Sequence, residues 1–114
     1  MRSLALAAAL AALSFAHPAV ADTTAATTVT QVMVLEPGDT SYKLFHGAVW
    51  LELDKAVVNY RWGGVECKGR DIGDTSIQLL FAAFRAGDSV KLEYVVSDFK
   101  DKQFRCITGL TISK

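Results

Sequence analysis

Between Asp74 and Gly87 the chain carries the one stretch beyond its N-terminal segment that reads as a helix, with strand-like sequence on both sides. Ile77, Leu80, Phe81 and Phe84 recur at i, i+3, i+4 and i+7, an apolar stripe on a 3.6-residue period. Thr75 and Gln78 have the spacing of a capping box, in which each side chain satisfies a free backbone N–H. Asp74 places negative charge at the positive end of the dipole, and Arg85 followed by Gly87 suits a C-terminus. About three turns of helix cannot bury such a stripe alone. The helix is therefore predicted to lie against a sheet, with all four stripe residues covered there.

The flanking sequence supplies that sheet. Val29–Leu35 reads as a first strand with imperfect alternation, which fits burial on both sides or a bulge. Glu36-Pro37-Gly38-Asp39 is a turn. A second strand is predicted over Tyr42–Leu53, with Phe45, Gly47, Val49, Leu51 and Leu53 on one face and His46, Ala48, Trp50 and Glu52 on the other. After a reversal at residues 54–57, Val58, Tyr60 and Trp62 continue the inward face of a third strand. Setting Leu53 opposite Val58 puts Trp50 opposite Arg61. Gly63-Gly64 marks a bend before Val65-Glu66-Cys67. Beyond the helix, Val90, Leu92, Tyr94 and Val96 alternate with Ser89, Lys91, Glu93 and Val95 in a fourth strand. Residues 97–103 read as a charged loop, and Phe104–Ile112 as a fifth strand with Cys106, Leu110 and Ile112 in phase and Gly109 at a bulge. Tyr60, Trp62 and Tyr94 are in phase with aliphatic residues and belong to the core. Five strands with one helix between the third and fourth is the order of the OB-fold, a small, mainly β, partly open Greek-key barrel whose helix plugs one end.

The N-terminus reads as an export signal: Arg2, an apolar run over Leu4–Ala16, and the A-x-A motif Ala19-Val20-Ala21. The run is shorter than the roughly 20 residues of a transmembrane span, so no stable membrane insertion is expected. Removing residues 1–21 from the 114 leaves 93: a leader over 22–28 without bulky apolar residues, then a single domain over 29–114. Arg2 leaves with the signal, and the remaining 11 basic and 12 acidic residues nearly balance. Such a chain lacks the clustered cations that a nucleic-acid or electrostatic membrane partner requires. In a secreted or periplasmic setting Cys67 and Cys106, the chain's two cysteines, are expected to form one disulfide. Closing 39 positions should stabilise by roughly 4 kcal/mol. Neither cysteine sits in a C-x-x-C pair, and His46 is the one histidine past the signal, so neither a metal centre nor a cofactor is expected.

Element order, export signal, size and the phrases Thr30-Gln-Val-Met-Val34, Gly87-Asp-Ser-Val-Lys-Leu-Glu-Tyr94 and Ile107-Thr-Gly-Leu-Thr111 resemble the OB-fold B subunits of AB5-type bacterial toxins, closest to the subtilase-cytotoxin and pertussis-like group. That resemblance implies a homo-oligomeric, pentameric ring that binds host glycans. The second strand lacks the cysteine usual in that family, and no binding residues are carried over.

Catalysis finds little support, since His46 has no serine or cysteine nearby in sequence to make a nucleophile pair. Asp71 and Asp74 lack the ladder of a calcium loop. Recognition is predicted instead on the outward face of the second and third strands, at His46, Trp50, Glu52 and Arg61. An outward tryptophan among polar groups holds a sugar ring or a partner side chain. The expected function is thus a non-catalytic exported binding module with a glycan partner. The alternative is a stand-alone module with a protein partner, either an enzyme inhibitor or an assembly accessory.

Overall fold

A computed structural model describes residues 21–114. The export signal read over 1–21 therefore lies outside the described residues except for Ala21. In chain order the elements are β1 (Asp22–Thr23), β2 (Thr27–Val34), β3 (Gly47–Leu53), β4 (Ala56–Trp62), helix α1 (Asp74–Ala86), β5 (Ser89–Phe99) and β6 (Lys102–Ser113). The strands pair in the order β1-β5-β2-β3-β4-β6, and β5 also pairs with β6. Strands β2 to β6 thereby close into a five-stranded barrel of OB-fold-like order, strand-strand-strand-helix-strand-strand. All pairings are antiparallel except β4 with β6, which meet in parallel at Arg61 and Cys106.

Residues 22–28, expected as a loose leader, run instead along β5. Asp22 and Thr23 pair with Tyr94 and Glu93, and Thr27 and Thr28 with Val90 and Ser89. Between them the Thr24 N–H donates to the Leu92 carbonyl at 2.8 Å, and the Leu92 N–H donates to Thr24 Oγ1 at 3.0 Å. Apolar content did not signal this segment because its attachment is made of backbone and hydroxyl groups.

The irregular alternation of β2 is a bulge between Val29 and Gln31, opposite Leu51 and Trp50. The extra residue changes the phase, so Val29 and Val32, an odd number of positions apart, both reach the core. A second bulge does the same in β6: Glu93 faces Gly109 while Tyr94 faces Ile107, leaving Thr108 as the extra residue. Ile107, Leu110 and Ile112 therefore point inward, and Cys106 points out, contrary to the phase expected from simple alternation.

Three boundaries differ from the sequence reading. Strand β3 begins at Gly47 rather than Tyr42, because residues 40–44 fold into consecutive turns, with Leu44 N–H bonded to the Ser41 carbonyl. The β3–β4 turn takes two residues, Asp54 and Lys55, not four. The register slips by two, so Leu51 faces Val58 and Trp50 faces Asn59, while Arg61 faces Ala48. An even slip preserves the faces and changes only the partners. Finally, the charged segment 97–103 is the end of a long hairpin: Ser97, Asp98 and Phe99 pair with Phe104, Gln103 and Lys102 around a turn at Lys100 and Asp101, whose φ values are 50° and 64°.

Val49, Leu51, Tyr60, Trp62, Val90, Leu92 and Ile107 fill the barrel, and Leu80 and Ala83 of α1 close it. Ile77 packs at the edge of this cluster, but Phe81 and Phe84 are about 40% exposed. The buried line of the helix thus runs through Ile77, Leu80 and Ala83. The small Ala83 lets the helix approach the barrel, and the two phenylalanines flank the contact instead of filling it. The N-terminus also differs from expectation. Gly73 is the N-cap and makes no side-chain bond, so Thr75 lies inside the first turn and the Thr75–Gln78 box does not form. The C-terminus is as read, with Gly87 at φ 70° donating its N–H to the Ala83 carbonyl and Arg85 in the last turn.

Candidate functional site

The outward face of β3 and β4 carries three of the four residues singled out from the sequence. Antiparallel partners point to the same side of a sheet, so Gln31, Trp50 and Asn59 form one row across β2, β3 and β4. Trp50 is half-buried and Glu52, two residues on, is exposed. Threonines of β2 tie the backbone beneath: Thr27 Oγ1 donates to the Glu52 carbonyl at 2.6 Å and Thr30 Oγ1 to the Trp50 carbonyl at 3.3 Å. The row offers an indole flanked by two amides, with a carboxylate nearby. Amides both donate and accept hydrogen bonds, so the set suits a hydroxyl-rich ligand with one apolar face. Gln31 and Asn59 were invisible from sequence because only the true register brings them beside Trp50.

Arg61 shares this face but is held by its own surroundings. Its guanidinium lies between the rings of Phe45, at 4.2 Å, and Phe104, at 5.0 Å, and Nη1 pairs with Glu66 Oε1. Glu66 is buried, and Arg61 Nε is closed to solvent without a hydrogen-bond partner. The neighbouring disulfide joins Cys67 to Cys106 with a Cα–Cα distance of 5.5 Å, as expected from the sequence, and packs with Val95 and Phe104 outside the barrel. With its charge matched by Glu66, Arg61 acts as part of the wall. A hollow of about 390 Å³ lies beside it, lined by Arg61, Glu66, Phe99, Lys100, Lys102 and Phe104.

His46 does not join that face. It precedes β3, where its N–H donates to the Trp62 carbonyl at 2.8 Å and its carbonyl accepts from Leu35 at 2.9 Å. The imidazole stacks on Tyr42 at 4.1 Å, and Nδ1 lies 3.0 Å from Asp71 Oδ2. Asp71 is itself fixed by the Ile72 N–H, which donates to Oδ1 at 3.0 Å. Gly63, at φ 74°, gives the ring its space, since any Cβ there would run into the imidazole. The Gly63-Gly64 pair read as a strand bend therefore seats a histidine. This group opens on a cleft of about 270 Å³, whose walls include Trp62, Asp74 and Ile77. An aspartate at Nδ1 orients an imidazole and sets its tautomer, as in many proton-transfer sites. The cleft walls, however, contain no serine, threonine or cysteine to act as a nucleophile. Tyr42 at i−4 from His46 was a usable signal, but it was absorbed into the predicted strand.

Among the described residues no cluster of three or more His, Cys, Asp or Glu side chains is placed to hold a metal ion, and no helix is long and apolar enough to cross a membrane. Comparison with protein-family models, with curated proteins and with solved structures found no match. The class that fold and surface define is a small, disulfide-linked, OB-fold-like barrel.

Proposed function

We propose that this protein is an exported, non-catalytic binding module that recognises glycans through the Gln31–Trp50–Asn59 row, and that it works as a homo-oligomer in the manner of a toxin B subunit. The observation that carries the glycan reading is the half-buried Trp50 indole on an outward strand face with amides on both sides and Glu52 nearby. The same face of OB-folds, on their second and third strands, is where oligosaccharides and oligonucleotides bind. The near-neutral charge favours the former. The Cys67–Cys106 bond suits an oxidising compartment.

A stand-alone module with a protein partner, such as an inhibitor or assembly accessory, is the second reading. Its support is the helix surface, where Leu79, Phe81 and Phe84 leave large apolar area in water. A glycan array probed with the wild-type protein and with Trp50→Ala, together with thermal melts and sedimentation, separates the two. Glycan retention by the wild type, lost in the variant at an almost unchanged Tm, is the expected result. A wild-type monomer that retains no glycan would overturn the proposal in favour of the protein partner.

A further inference from the structure

We propose that the hollow beside Arg61 is a separate binding site for a carboxylate carried on an apolar body, in the form of a free aryl-substituted acid or the C-terminal residue of a peptide. The residues of the β5–β6 hairpin tip sort by charge across its two faces. Phe99 pairs with Lys102 and Ser97 with Phe104, so these four side chains share one face, while Asp98 and Gln103 take the other. The face turned to the hollow therefore joins two aromatic rings to the Lys102 ammonium, and Lys100 adds a second, with Nζ 5.4 Å from the centre of the Phe99 ring.

Arg61 and Glu66 neutralise each other at the inner wall, so the two lysines decide the sign of the site. A volume of about 390 Å³ falls within the range of pockets for small molecules, roughly 300–1,000 Å³. The inner wall, at Glu66 and Phe104, is also held in place. Phe104 stands two residues before Cys106 and Glu66 one before Cys67, so the disulfide ties the β6 wall to the loop that follows β4. Preorganised walls lower the ordering cost of binding. The complementary ligand has an apolar body against Phe99 and Phe104 and a carboxylate between Lys100 and Lys102. A neutral sugar would leave both ammonium groups without a counter-charge.

The test is an amide-resolved NMR titration of the oxidised, isotope-labelled protein. The probes are phenylacetate, its neutral analogue phenylacetamide, and a short peptide with a C-terminal phenylalanine as free acid or amide. Phenylacetate at millimolar concentration should shift the resonances of residues 99–104, and phenylacetamide should not. Replacing both lysines (Lys100→Gln with Lys102→Gln) should weaken phenylacetate binding at least about tenfold in a protein whose other resonances stay in place. A free-acid peptide that moves the same resonances more tightly than phenylacetate identifies a chain terminus as the source. A response to phenylacetate alone identifies a small acid. Equal binding of acid and amide, no shift at residues 99–104, or unchanged affinity in the double variant would each overturn the proposal. Trp50→Ala should leave phenylacetate binding intact, so the site stands or falls apart from the glycan reading.

Discussion

Cys106 and Ile107 are neighbours on β6 and both are closed to solvent, yet they belong to opposite sides of the barrel wall. Ile107 joins an interior of aliphatic and aromatic side chains that the helix closes through Leu80 and Ala83. Cys106 joins an outer patch of a different kind: one disulfide, the Phe104 ring, and near it a part-buried ion pair between Arg61 and the buried Glu66. The interior is stabilised by apolar area removed from water, a non-directional effect that tolerates shape-conserving change. The outer patch depends on specific partners. Taking the Arg61 charge away leaves the buried Glu66 carboxylate desolvated and unmatched. A barrel of this size thus gains stability from two sources that respond to different perturbations. Surface features needing fixed geometry sit beside the second.

The largest expected effect separates the two sides most directly. Opening the bond with Cys106→Ser and Cys67→Ser together should lower the unfolding free energy by roughly 4 kcal/mol on the chain-entropy account of a 39-residue separation. Urea unfolding of the double variant against the oxidised parent measures it. A loss under about 1 kcal/mol would show that the interior alone sets the stability.

Next in size is the interior contact of the helix. Leu80→Ala should cost about 3 kcal/mol, because the side chain is fully enclosed. Phe81→Ala, one residue along but on the exposed flank, should cost no more than about 1 kcal/mol in a monomer. Comparable large losses for both in the same chemical melts would place Phe81 in a second interface. That outcome would sharpen the case for a partner or for self-association.

The smallest effect should appear only at alkaline pH. Burial raises the Tyr60 phenol above its usual value of 10.0, with a further rise from Tyr94 opposed by Arg105. The two tyrosine rings meet edge to face at 5.0 Å. A phenol whose folded pKa is raised stays protonated in the native chain after the unfolded chain has begun to ionise. Stability is then fully present below about pH 10 and falls as pH rises from there through the folded pKa. Unfolding free energies between neutral pH and pH 11 should fall less steeply in Tyr60→Phe than in the parent. Equal slopes would assign the alkaline loss to other groups.

Much of the barrel was legible in the chain because its elements follow local rules. Alternation identified Val49 and Leu51, Tyr60 and Trp62, and Val90 and Leu92 as inward pairs. The two cysteines of an exported-type sequence, 39 positions apart, also had only one intramolecular pairing to make. The helix ended where Arg85 and Gly87 said it would, since a left-handed residue after the last turn is a local requirement. Tertiary structure decided whatever depended on phase and approach. Irregular alternation in β2 and Gly109 in β6 pointed to bulges, but only the paired ladders fixed the extra residues as Thr30 and Thr108, and with them which side chains face inward. Helical periodicity marked a stripe wide enough for Ile77, Leu80, Phe81 and Phe84, but the mouth of the barrel has room for only its Leu80–Ala83 side. The candidate sites divide in the same way. Trp50 and Glu52 were set outward by alternation alone. Gln31 and Asn59 came beside Trp50 through register, and Arg61 found Glu66 through the turn at Gly63-Gly64. His46 left the sheet face for Tyr42 and Asp71 because that same glycine turn opens just enough space for an imidazole. Contacts between residues far apart in sequence depend on the closed barrel, and no local pattern encodes the distance between them.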